Sequence, residues 1–178
     1  MSLRTIFFSM AVFFVATLFG FTAEAGNSMK TQIVDGIRLE LQVLPPEPFF
    51  TANEVKSNHN LKGMQIMGGA KPLAPDAHPR PDHHLVVHVY NAKTGKALPD
   101  AEVSMKFQLL DKHGKAHGPA VDVPVVIMEI IGKGPQSTHY GNNVVMSAGR
   151  YAVTVVANGK KADFHITVSN KTVEKMNM

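Results

Sequence analysis

An all-β fold is predicted, in the form of an immunoglobulin-like antiparallel β-sandwich of seven to eight strands. Two observations predict it: short runs that alternate apolar and polar residues, and turn chemistry placed between them. A third is the lack of any sustained 3.6-residue period that would mark a long amphipathic helix. Val103, Met105, Phe107 and Leu109 alternate with Ser104, Lys106 and Gln108. Tyr151, Val153, Val155 and Ala157 alternate with Ala152, Thr154 and Val156, and Phe164, Ile166 and Val168 with His165 and Thr167. Asn158-Gly159 lies between the last two runs and is a strong hairpin signal, because both residues tolerate positive φ.

The chain divides into three parts. Residues 1–25 read as a cleavable export signal: Arg4, an apolar run from Ile6 to Phe21, then Ala23-Glu24-Ala25 as an A-x-A cleavage site. Residues 26–62 read as an N-terminal strand and extension, with a strand over 36–44 and a short helical turn over 54–60. Residues 63–178 read as the sandwich proper, opening with a strand at 64–67. A proline-rich connection at 70–81 leads into a strand at 83–91. Lys93-Thr94-Gly95-Lys96 and Lys112-His113-Gly114-Lys115 mark turns on either side of the strand around Phe107, and 121–130 reads as one further strand.

Composition bounds the function. The 178-residue chain has no cysteine, nine histidines, ten methionines and a net charge of +4. Without cysteine there is neither a disulfide framework nor a thiolate metal site. The positive charge is spread singly along the chain, without interleaved aromatics, so nucleic-acid binding is not expected. With the leader removed, a soluble exported protein of the periplasm is expected. Imidazole, thioether and carboxylate then remain as the metal-ligating side chains.

The densest group of such residues is Asp82-His83-His84-Leu85-Val86-Val87-His88. On a strand, neighbouring side chains point to opposite faces. His83 shares a face with Leu85, Val87 and Val89, which reads as the core side. His84 and His88 share the other face, yet lie about 13 Å apart along the strand. One ion needs its ligand atoms within about 2 to 2.5 Å, so His84 requires a partner from elsewhere in the chain. The second group runs from His139 through Tyr140-Gly141-Asn142-Asn143 to Met146. Its Gly and Asn residues predict a turn that holds His139 on one side and Met146 beyond it. A bland alternative places each of these side chains at a sheet edge or in the core, as for Met105 and Met128. No catalytic constellation is present: there is no G-x-S-x-G, no H-E-x-x-H and no cysteine nucleophile, so an enzyme is not expected.

Three segments carry a family resemblance. Gly134-Pro135-Gln136-Ser137-Thr138-His139-Tyr140-Gly141-Asn142-Asn143, followed by Gly149-Arg150-Tyr151, resembles a G-P-H-Y-G-x-N segment and a following G-x-Y strand of the periplasmic iron-transport accessory proteins. Gly63-Met64-Gln65-Ile66 is similar to that family's G-M-E-I, and Asp82-His83-His84-Leu85 to its D-I-H-L. All three occur in the family's order and, with the closing strands, span 63–168. The resemblance implies a commonly dimeric immunoglobulin-like sandwich that binds copper, with iron nearby or at the same site, beside a membrane iron permease. It places His84 as the strand ligand and His139 as the turn ligand. Met64, Met67, His78, His88 and Met146 compete for the remaining positions. Gln65 replaces the family's glutamate, which weakens the case for iron, since hard cations prefer carboxylate.

The expected function is therefore an exported, non-enzymatic copper- and iron-binding protein for metal acquisition or delivery, with a permease or envelope complex as partner. The alternative is a structural or interaction module that docks on an envelope or membrane complex without a functional metal.

Overall fold

The computed structural model describes residues 29–73 and 77–169. The expected leader, residues 1–25, lies outside the described residues. The chain opens with a hairpin of β1 (Lys30–Val34) and β2 (Ile37–Leu44). Asp35 and Gly36 form its turn at φ 45° and 81°, the paired positive values of a type I′ connection. A two-residue strand β3 (Phe49–Phe50) and a one-turn helix α1 (Ala52–Ser57) follow. A reciprocal capping box starts that helix: the Thr51 side chain accepts from Glu54 N–H, and the Glu54 carboxylate accepts from Thr51 N–H. Then come β4 (Met64–Gly69), β5 (His83–Asn91), β6 (Val103–Leu110), β7 (Val121–Val123) and β8 (Val126–Ile130). A 3-10 turn (Pro135–Ser137) leads into β9 (His139–Val144), and β10 (Gly149–Ala157) and β11 (Lys160–Val168) close the fold.

These strands form two sheets, in the orders β1-β2-β5-β9-β8-β4-β3 and β11-β10-β6-β7. The all-β sandwich expected from the alternation is thus present, with eleven strands among the described residues instead of seven to eight. Leu39, Leu41, Leu85, Val87 and Val89 of the large sheet pack against Met105, Phe107, Val153, Val155, Phe164 and Ile166 of the small one. Every second residue of β10 and β11 is buried, as the period-2 pattern requires. The predicted hairpin turn is there, with Asn158 at φ 49° and Gly159 at 76°.

Three differences from the sequence reading matter for the site. Residues 30–50 belong to the sandwich itself, since β2 pairs with β5 from Ile37↔Asn91 to Leu44↔His84. The single strand expected over 121–130 is two strands in different sheets: β7 pairs with β6, and β8 pairs with β4 and β9. Pro124 stands at the crossing, where its missing N–H breaks the ladder. The turn expected at Tyr140-Gly141-Asn142-Asn143 is instead part of β9, a wholly buried strand between β5 and β8.

Asn142 and Asn143 are buried because their amides tie loops to the sheet. Asn142 Nδ2 donates to the carbonyls of Lys71 (3.2 Å) and Pro124 (2.7 Å), while its Oδ1 accepts from Leu73 N–H at 3.1 Å. Asn143 Nδ2 donates to Glu47 O at 2.9 Å, and its Oδ1 accepts from Glu47 N–H at 3.1 Å. Tyr140 turns into the core, where its hydroxyl donates to Leu98 O and accepts from Ala101 N–H.

Gly141 sets the approach of β9 to β5. A Cβ there would lie 2.0 Å from the Leu85 carbonyl oxygen and 2.8 Å from Val86 Cα. Both obstacles are sheet backbone, which cannot swing aside. Gly141→Ala is therefore expected to destabilise the protein by more than about 3 kcal/mol or to prevent folding. Gly114→Ala, at φ 79° with open space around it, should cost only about 1–2 kcal/mol. Denaturant titration of the two variants compares them directly, and equal losses would contradict the steric account.

Candidate metal centre

The register of the large sheet aligns one row of side chains on the face turned away from the core. Glu40 on β2 is opposite His88 on β5, and His139 on β9 is opposite Met128 on β8. Met128 is in turn opposite Ile66 on β4. The β5–β9 register runs to Val87↔Tyr140, and one step further brings His88 beside His139. A second row, four residues away along β5, holds Leu44, His84 and Asn143. The ring of His139 reaches both rows: its centroid is 5.0 Å from that of His88 and 6.0 Å from that of His84. His84 and His88 are separated along their strand as alternation requires, and an imidazole from β9 closes the gap.

This outer face is covered. Phe49 packs its ring 5.7 Å from that of His84, and Met64, Val86, Val126 and Met128 form a second small core with Leu44, Phe49 and Ile66. His84 and His139 are both buried, at 0% and 2% exposure. At the other end the row opens toward solvent. The half-buried His88 stacks on Tyr90 with centroids 6.0 Å apart and planes within 8°. Arg38 lies 4.3 Å above the Tyr90 ring and pairs with Glu40.

Hydrogen bonds fix which ring nitrogens are free. His84 Nδ1 is 2.9 Å from Asn143 Oδ1. That amide oxygen also accepts from Glu47 N–H, while Nδ2 donates to Glu47 O. The amide orientation is thus set, and His84 Nδ1 must be the protonated nitrogen. Its Nε2 lone pair is buried without a partner. His139 Nδ1 donates to the Ser137 carbonyl at 2.7 Å, which leaves Nε2 as the unprotonated nitrogen of the neutral ring. The 3-10 turn holds that carbonyl in place: Ser137 Oγ donates to Gly134 O and accepts from Ile130 N–H. His88 bonds the Thr138 backbone, and its Nδ1 is buried without a partner.

The environment keeps these rings neutral. Burial lowers the His84 pKa to about 4, against a smaller opposing effect of the Asn143 bond. Burial, together with repulsion from the other two imidazoles, lowers that of His139 to about 3, against its bond to the Ser137 carbonyl. His88 is also lowered by burial, with Glu40 opposing the shift. Neutral imidazole is the form that binds a metal.

The donor set has a definite character. A metal about 2 Å from each ring nitrogen holds coordinating ring centres about 4.5 to 6 Å apart, the range of the His84–His139 pair and of the His88–His139 pair. Among the described residues, no three His, Asp or Glu side chains form a ready-made metal cage. What the face offers is imidazole beside thioether, from Met64 and Met128 in the small outer core. That combination suits copper, the thioether favouring the reduced ion.

The sequence-predicted residues divide accordingly. His84, His139 and His88 come together, and Met64 lies in the cluster that covers His84. Met67 sits at the bulge between Ile66 and Gly68 and is 50% exposed. His78 is exposed in the loop before Pro79. Met146 is buried in the core between the sheets, on the far side of β5 and β9 from His84. Gln65 alternates away from Met64 and Ile66, so the carboxylate next to the histidine row is Glu40. Met128 was not distinguishable from a core methionine by sequence; only the β8–β9 register places it against His139. Compared with protein-family models, with curated proteins and with solved structures, the chain matches none.

The lowered pKa values give the metal-free protein an acid-sensitive stability. An unfolded histidine titrates near its ordinary value of 6.5, whereas folded His84 and His139 do so only at about 4 and about 3. Below pH 6.5 the unfolded chain therefore takes up protons that the native state refuses. Stability is intact above pH 6.5 and is lost as pH falls toward those folded values, by about 1.4 kcal/mol per pH unit for each histidine. Denaturant midpoints measured from pH 7 to pH 5 should fall, and His139→Gln should flatten the slope by about one proton. An unchanged slope would contradict the burial of a neutral His139.

Proposed function

We propose that this protein is an exported, non-enzymatic metal-binding protein that takes copper, with iron as a second cargo, for metal acquisition or delivery. One observation carries the reading: His84 from β5 and His139 from β9 bring their rings to 6.0 Å, with both Nδ1 atoms already engaged. Each ring thus offers only Nε2. An unpartnered buried polar atom costs about 1–3 kcal/mol, and a bound cation would offset that cost at His84. The hydrogen bonds to Asn143 and Ser137 would orient the ligands and raise their basicity, as outer partners of metal-bound histidines do.

Copper is favoured over harder cations by the thioethers of Met64 and Met128 in the outer cluster. Iron would draw on Glu40, next to His88 at the half-buried end. The resemblance of the segments around Met64, His84 and His139 to periplasmic iron-transport accessory proteins supports the same assignment. It also supports a periplasmic location, a membrane permease as partner, and a dimeric state.

The test is copper affinity by competition with a chromophoric chelator, for the native protein and for His84→Ala and His139→Ala. Each variant is expected to lose at least roughly 100-fold in affinity at this site. Copper affinity unchanged in both would remove the site and favour an interaction module without a functional metal.

A further inference from the structure

The other face of the same strands carries an imidazole that this site does not use. His83 is 2% exposed and points toward the core between the sheets, as do its strand neighbours Leu85 and Val87. Its Nδ1 lies 2.7 Å from Asp82 Oδ1, to which it donates. Its Nε2 is buried without a partner. The same Asp82 oxygen accepts from Met146 N–H at 2.9 Å, and Asp82 N–H donates to Val144 O at 3.1 Å. Asp82 thus clamps His83 to the segment that carries Met146.

Register sets what stands near the free nitrogen. His83 is opposite Val144, and Met146, two residues on and past the end of β9, is buried with Val144 in the same inner core at 2% exposure. The Asp82 oxygen that accepts from both His83 Nδ1 and Met146 N–H holds the imidazole and the methionine backbone on one carboxylate oxygen, so the long, flexible thioether side chain starts beside the ring. Asp82 is partly exposed, its side chain at 33%, and marks an approach from solvent at this end of the sandwich.

We propose that His83 Nε2 and the Met146 thioether form a second metal site, for a single Cu(I) ion, on the inner face of the large sheet. The carboxylate holds the Nδ1 proton and so presents the Nε2 lone pair, as in carboxylate–histidine–metal arrangements. Imidazole with thioether is a soft donor pair that selects Cu(I), and this ion accepts two ligands. The sheet separates this site from His84 and His139, so each can be emptied without the other.

The experiment is anaerobic Cu(I) titration against bicinchoninate in the full chain. A His84→Ala/His139→Ala protein is expected to retain about one equivalent. Adding Met146→Leu, which keeps the side-chain volume, or His83→Gln should abolish it, with circular dichroism showing that the fold is intact. Loss of all Cu(I) from the His84→Ala/His139→Ala protein overturns the second site and leaves the first standing. Retention of the equivalent after Met146→Leu and after His83→Gln overturns it too. In native protein, Met146→Leu alone should lower the stoichiometry by one, whichever fate the outer site meets.

Discussion

The closeness of β9 to β5 at Gly141 is the constraint on which the rest of the molecule depends. With no side chain there, the Leu85 carbonyl and Val86 backbone occupy the space a Cβ would fill. This contact brings His139 between His84 and His88, and Asn143 against His84 Nδ1. It also turns Tyr140 into the core, where its hydroxyl links β9 to the segment around Leu98 and Ala101. Strand pairing, core anchoring and ring placement thus follow from one close approach.

The site is costly to the fold that holds it. Three imidazoles lie on one face of the large sheet, and nitrogens on two of them are buried without a partner. Alkyl side chains of similar size would pack there without that penalty. His84 and His139 are each bonded through Nδ1, so those two rings are oriented while Nε2 is kept available. His84 and His88 each have one ring nitrogen bonded and the other buried without a partner, which stability alone does not account for. The outer face is graded, from the thioethers of Met64 and Met128 at the buried end to Glu40 and Tyr90 at the open end.

Much of this arrangement was legible in the sequence. Alternation located β5, β6, β10 and β11, and separated His83 from His84 and His88 on opposite faces. The I′ turn at Asn158-Gly159 was legible because positive φ has a residue signature. What escaped was polar sequence with a buried role. Asn142 and Asn143 have turn chemistry, but their amides satisfy the loops at Lys71, Pro124 and Glu47, and nothing local announces those distant partners. The switch of sheets at Pro124, the membership of β1 and β2 in the large sheet, and the pairing of Met128 with His139 are likewise long-range facts. Sequence spacing along one strand placed His84 and His88 apart; the ring between them came from a segment more than fifty residues away.

The most direct measurement is a crystal structure of copper-loaded protein with anomalous scattering at the copper edge. The account predicts a peak on the outer face of the large sheet, about 2 Å from Nε2 of both His84 and His139. Copper found only at exposed histidines such as His113 or His117, with none between those two rings, would contradict it.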